Sequence, residues 1–131
     1  MQKLRVIIAD RSQTLLEGLR GLLETVFDSV VMVADVRSLI DTADKLGADM
    51  AVVDLTIGNG DFIETISKIK SRFPDLKIIV MSIYDDETVL EKVVYSGVDG
   101  FVLKRFAADD LLPAVDAVLN GGTFASKLQK S

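Results

Sequence analysis

The 131-residue sequence contains no cysteine, no histidine, no tryptophan and only two prolines. Without cysteine there is no disulfide framework, no thiolate nucleophile and no thiolate zinc site. Without histidine the commonest general base and the commonest metal ligand are missing as well. Chemistry is left to carboxylates, hydroxyls, lysines and backbone amides. Long apolar runs are absent too: the longest span about five residues, whereas a membrane helix needs about 20. The first such stretch, Val6 to Ala9, stops at the charged pair Asp10–Arg11 and does not read as a signal peptide. A soluble, cytoplasmic chain with no membrane partner is expected. Positive charge is also short. The 15 Lys and Arg residues are scattered among 20 acids, and the net charge of −5 repels a polyanion such as DNA.

Apolar residues make up 49% of the chain and charged residues 27%, enough oily material for the core of one domain. Five β-type runs, Leu4–Ala9, Val30–Ala34, Met50–Val53, Lys77–Ser82 and Phe101–Leu103, alternate with five helical patterns. Four of the runs are almost continuously apolar, the pattern of strands covered on both faces. Spacings of three and four set out Leu15, Leu19, Leu22 and Val26, then Leu39, Ala43 and Leu46, then Ile66, Ile69 and Phe73. Val89/Leu90 with Val93/Val94 mark a fourth helix, and Leu111, Val115 and Val118 a fifth. Ser38 with Asp41 reads as a capping pair. Gly47 and Gly97 read as left-handed helix ends, and Pro74 as the stop of the third helix. Strict strand–helix alternation predicts a flavodoxin-like (βα)5 α/β fold, doubly wound about a parallel five-stranded sheet. From Gly121 to Ser131 the periodicity is lost, as at the start of a linker.

In such sheets ligands bind beyond the carboxyl ends of the strands. Asp10 and Arg11 follow the first strand, Asp54 follows the third, Ser82 ends the fourth and Lys104 follows the fifth. Singly, each has an ordinary reading: a helix cap, a turn residue or a solvated charge. Their coincidence at corresponding ends is the information. A carboxylate nucleophile, a fixed cation for incoming oxygens and a hydroxyl to meet them are the parts of phosphoryl transfer to an aspartate. A dehalogenase-type phosphohydrolase needs a second acid two residues on, where this chain has Ser12 and Thr56. A flavin site would rest on Gly58-Asn59-Gly60 alone.

Several segments in order resemble the receiver domains of bacterial two-component response regulators, of CheY-like fold, and most closely those of the NarL/LuxR type. They are Ile8-Ala9-Asp10, Leu16-Glu17-Gly18-Leu19, the run from Ser96 to Lys104, and Asn120-Gly121-Gly122. The resemblance covers roughly residues 3 to 122. It implies a receiver domain over residues 1–122 with strand order 2-1-3-4-5, followed at 123–131 by a linker toward a helix-turn-helix domain that would contact DNA. It implies Asp54 as phosphoacceptor, Lys104 as the family's lysine, Ser82 as switch hydroxyl and Phe101 in the place of the switch aromatic, although an aromatic in a strand also simply packs. A sensor histidine kinase as partner, homodimerisation and a signalling role rather than an enzymatic one go with it.

One departure is electrostatic. The family places two acids after the first strand, and the second joins the phosphoacceptor and a backbone carbonyl in holding Mg²⁺. Here Arg11 takes that position, leaving Asp10, Asp54 and the Thr56 carbonyl. The charges of Asp10, Asp54, Arg11 and Lys104 then sum to zero without a metal. Arg11 either clamps Asp10 or Asp54 as a bidentate partner or points to solvent. Weakened Mg²⁺-dependent phosphorylation is expected, and the alternative is a degenerate, phosphorylation-independent interaction and dimerisation module. Gly58-Asn59-Gly60, Phe62 and Arg105 also depart from the family's usual residues.

Overall fold

The computed structural model describes residues 3–58 and 60–127. Its strands are β1 (Arg5–Ala9), β2 (Ser29–Val33), β3 (Met50–Asp54), β4 (Lys77–Ser82), β5 (Gly100–Leu103) and β6 (Phe124–Ala125). They form one sheet in the order 2-1-3-4-5-6, and every pairing is parallel. The helices are α1 (Gln13–Leu23), α2 (Val36–Leu46), α3 (Phe62–Arg72), α4 (Glu87–Tyr95) and α5 (Ala107–Leu119). Because side chains alternate along a strand, each continuous apolar run feeds two cores. Val6, Ile8, Val52, Met81 and Val102 pack with α1 and α5, while Ile7, Ala9, Val53, Val80 and Phe101 pack with α2, α3 and α4. Among the described residues no helix is long and apolar enough to cross a membrane.

Local chemistry fixes the helix starts. Ser12, Asp35, Asp61 and Asp86 each accept a backbone N–H from the first turn of α1, α2, α3 and α4. At α2 the cap differs from the expected Ser38–Asp41 pair. Ser38 lies inside the helix and its N–H donates to Asp35 Oδ1 at 2.7 Å, since the carboxylate one turn earlier meets that orphan donor first. Gly47 and Gly97 do adopt positive φ, 65° and 88°, and α3 ends at Arg72 before Pro74. In α1 the buried stripe is Leu16, Leu19 and Leu23, one residue out of phase with Leu15, Leu22 and Val26. Val26 lies past the end of α1 and is exposed, and Phe27 closes the core there instead.

The largest correction concerns the tail. Five strands and a linker beginning at residue 123 are expected, but the chain turns back after α5 and adds β6 to the edge of β5, pairing Gly100 with Phe124 and Phe101 with Ala125. Gly122 N–H bonds the Ala117 carbonyl at 2.9 Å, closing the helix end. Phe124 then packs against the α1/α5 core, which supplies the apolar burial that holds so short a strand. Two paired residues carry no periodicity, so the sequence pattern passes over them. Residues 128–131 of the expected linker lie outside the described residues.

Candidate functional site

Parallel pairing brings the carboxyl ends of β1, β3, β4 and β5 to one edge of the sheet, and with them Asp10, Asp54, Ser82 and Lys104. Asp10 and Asp54 are buried, 4% and 7% exposed. Lys104 opens a short 3-10 turn, Lys104–Phe106, directly after β5. Its ammonium bridges the two carboxylates, with Nζ 2.8 Å from Asp10 Oδ2 and 3.0 Å from Asp54 Oδ1. Burial alone would depress the lysine's pKa. Hydrogen bonds to Asp10 and Asp54, and then the charges of those carboxylates, outweigh it and hold the pKa above the ordinary 10.5.

The other two carboxylate oxygens are also engaged. Ser12 N–H donates to Asp10 Oδ1 at 2.9 Å, and Thr56 Oγ1 donates to Asp54 Oδ2 at 2.6 Å. Asp10 thus shapes the entry to α1 as well as facing the lysine. The bridging cation is Lys104 rather than an Arg11 clamp. The exposed Arg11 side chain crosses to the β3–α3 loop, where Nη2 donates to the Ile57 carbonyl at 3.3 Å. That carbonyl is next in sequence to Thr56, whose own carbonyl is the expected backbone ligand.

Ser82 is 1% exposed, and its hydroxyl is turned into its own loop. It accepts from Tyr84 N–H at 2.8 Å and donates to the Tyr84 carbonyl at 3.0 Å. Phe101 is also 1% exposed and lies in the core under α4. Across the mouth of the site, Arg105 Nη1 pairs with Asp85 Oδ2 at 2.9 Å and its guanidinium stacks on Phe106, joining the loops that carry Lys104 and Ser82. Asn59 of the Gly58-Asn59-Gly60 loop lies outside the described residues.

Asp10, Asp54 and the Thr56 carbonyl are the groups that would hold a divalent ion at this sheet edge. Mg²⁺ takes oxygen ligands in octahedral array, usually one or two carboxylates with several waters. Here each carboxylate oxygen meets a donor, from Lys104, Ser12 or Thr56, and the Arg11 guanidinium lies on the β3–α3 loop. Among the described residues no group of three or more acidic side chains is placed to hold a metal.

Ser126, at the end of β5, and its partner Asp110 are not signalled by the sequence. Ser126 is 3% exposed, and its Oγ accepts from Leu103 N–H at 3.1 Å while donating to Asp110 Oδ2 at 2.6 Å. A lone serine in an unpatterned tail gives no hint of this, because only the unforeseen β6 brings it to the end of β5.

Comparison with known proteins agrees with this fold. Residues 6–116 match the response regulator receiver domain family. The chain is 31% identical over 124 residues to the transcriptional regulatory protein DegU of Brevibacillus brevis, covering 93% of this chain and 52% of that protein. It is 35% identical over 129 residues to the transcriptional regulatory protein RcsB of Escherichia coli strain K12, covering 95% of this chain and 60% of that protein. The chain therefore spans less than two thirds of the length of these relatives. The isolated REC domain of RcsB from Salmonella enterica serovar Typhimurium, solved in the presence of the phosphomimetic BeF3−, superposes with a TM-score of 0.86 at 34% identity, covering 96% of this chain and 95% of that one. Strand order, family match and structural likeness agree, and the chain belongs to the response regulator receiver domain family.

Proposed function

We propose that the chain receives a phosphoryl group on Asp54, donated by a sensor histidine kinase, and that it does so with weak dependence on Mg²⁺. The observation that carries this reading is the Lys104 ammonium held against Asp54 and Asp10 at the sheet edge. In the transfer, an Asp54 oxygen forms the new P–O bond as the P–N bond of the donor phosphohistidine breaks. The electron pair returns to the imidazole nitrogen, which is reprotonated from water. Lys104 supplies a fixed positive charge for the phosphoryl oxygens. Ser82 is the switch hydroxyl, which must leave Tyr84 to meet a phosphoryl oxygen. Phe101 already lies inside, so in this reading the moving part of the switch is the β4–α4 loop. In this reading Arg11 weakens Mg²⁺ binding by holding a positive charge on the β3–α3 loop.

Phosphorylation would then bias homodimerisation and an attached DNA-binding output, as the transcriptional regulatory roles in the names of the relatives suggest. A second reading is favoured by the engagement of all four carboxylate oxygens: a phosphorylation-independent interaction and dimerisation module. Incubation with an acyl phosphate, with and without Mg²⁺, followed by intact-mass measurement, separates the two. One added phosphoryl group that disappears in Asp54→Ala supports the first, and no addition under either condition supports the second.

A further inference from the structure

We propose that Ser126 is a positioning residue for Lys104, which makes the C-terminal strand a working part of the phosphoryl pocket. The inference rests on the reading of Lys104 as the cation that serves Asp54. The ammonium must satisfy two carboxylates at once, at 2.8 and 3.0 Å, from the end of a flexible four-carbon stem. That double contact depends on where the backbone delivers the lysine's Cα. Lys104 stands at the exit of β5, where the strand gives way to the Lys104–Phe106 turn and then to α5.

At that exit the ladder changes character. Phe124 N–H bonds the Asp99 carbonyl at 3.1 Å, and Ser126 N–H bonds the Phe101 carbonyl at 2.9 Å. For the next rung the backbone of β6 has run out, and the Leu103 N–H is taken by the Ser126 hydroxyl at 3.1 Å. Leu103 is wholly buried, so this side chain does for the last residue of β5 what a strand carbonyl does elsewhere. The same oxygen donates at 2.6 Å to the carboxylate of Asp110, in the first turn of α5. One hydroxyl therefore ties down the residue before the Lys104 turn and the helix that follows it. Ser126 is buried between exposed neighbours, Ala125 and Lys127, and strand alternation aims its side chain inward. Without the hydroxyl both ends of the turn are released together, and the ammonium loses its fixed place between Asp10 and Asp54.

Ser126→Ala, Ser126→Thr and Asp110→Ala in the full chain test this with two readouts. The first is the ¹⁵N-edited ammonium signal of Lys104 at neutral pH, slow to exchange because two carboxylates hold its protons and assigned by its loss in Lys104→Arg. The second is the initial rate of Asp54 phosphorylation by an acyl phosphate. In Ser126→Ala the Lys104 signal is expected to broaden into fast exchange and the rate to fall roughly ten- to a hundredfold, the penalty for a misplaced catalytic group. Ser126→Thr keeps the hydroxyl and restores both. Asp110→Ala leaves Leu103 N–H its acceptor and is expected to change both in the same direction but less, and it decides the matter if Ser126→Ala does not fold. An unchanged Lys104 signal in the folded variants, beside a mere loss of stability, overturns the proposal. If the wild type takes no phosphoryl group, the Asp54 reading fails instead, and the ammonium signal still decides whether Ser126 positions Lys104.

Discussion

Replacing Arg11 by Asp is expected to tighten magnesium binding at the pocket. The substitution moves the formal charge of residues 10, 11, 54 and 104 from zero to −2. Against a dication about 6 Å away, that change is worth about 11 kcal/mol at an effective dielectric near 20 and about 3 kcal/mol in water. Arg11 is exposed, with its guanidinium over the Ile57 carbonyl, so the water-like figure is the relevant one. About 3 kcal/mol corresponds to about two decades in dissociation constant. Calorimetric titration with MgCl₂ of the wild type, Arg11→Ala and Arg11→Asp reads this directly, and the alanine variant should fall midway because it removes one of the two charge units. Raising the concentration of a monovalent salt should shrink the spacing, since exposed charges are screened. Equal dissociation constants for wild type and Arg11→Asp would refute the electrostatic reasoning.

Other consequences follow from the same contacts. Lys104 holds its proton more tightly folded than unfolded, so its contribution to stability is complete below the ordinary 10.5 and is lost as the pH rises through the folded value. Urea unfolding of wild type and Lys104→Met should show the wild-type advantage shrinking in strongly alkaline buffer. Asp99 Oδ2 accepts from the buried Ile78 N–H at 2.9 Å and from Lys70 Nζ at 3.3 Å. Asp99→Ala orphans that N–H and should cost about 1–3 kcal/mol in chemical denaturation. Asp35 has a lowered pKa, chiefly because Ser38 N–H bonds its carboxylate. The stability it lends to α2 is therefore present at neutral pH and lost as pH falls through the folded value, and thermal melts of Asp35→Ala and wild type should converge in acid. Phe101→Ala empties a fully buried position and should cost about 3–5 kcal/mol in urea titration.

The alternation of strands and helices is legible because β1, β3 and β4 are buried on both faces and therefore read as unbroken apolar runs. Site residues at strand ends are legible for the same reason: once the strands are placed, parallel topology alone brings Asp10, Asp54, Ser82 and Lys104 to one edge. The phase of α1 is not, since the Leu15–Leu16 and Leu22–Leu23 doublets fit either of two stripes, and only packing against α5 and the sheet selects Leu16 and Leu23. Nor is the reach of Arg11, a long side chain whose carbonyl partner carries no residue-type signal. The Ser126 contacts are least legible of all, because they depend on a strand that long-range burial of Phe124 creates.

The sixth strand changes where this fold can be cut or joined. A fragment trimmed at the end of α5 would bare the outer side of β5, with the Phe101 carbonyl and the Leu103 amide offered to any passing chain, and such unguarded borders recruit neighbours into aggregates. Anything grafted after Lys127 would hang from the sheet itself rather than from a swivelling tether. It would take its orientation from the lattice of hydrogen bonds that begins beside the Asp54–Lys104 pair.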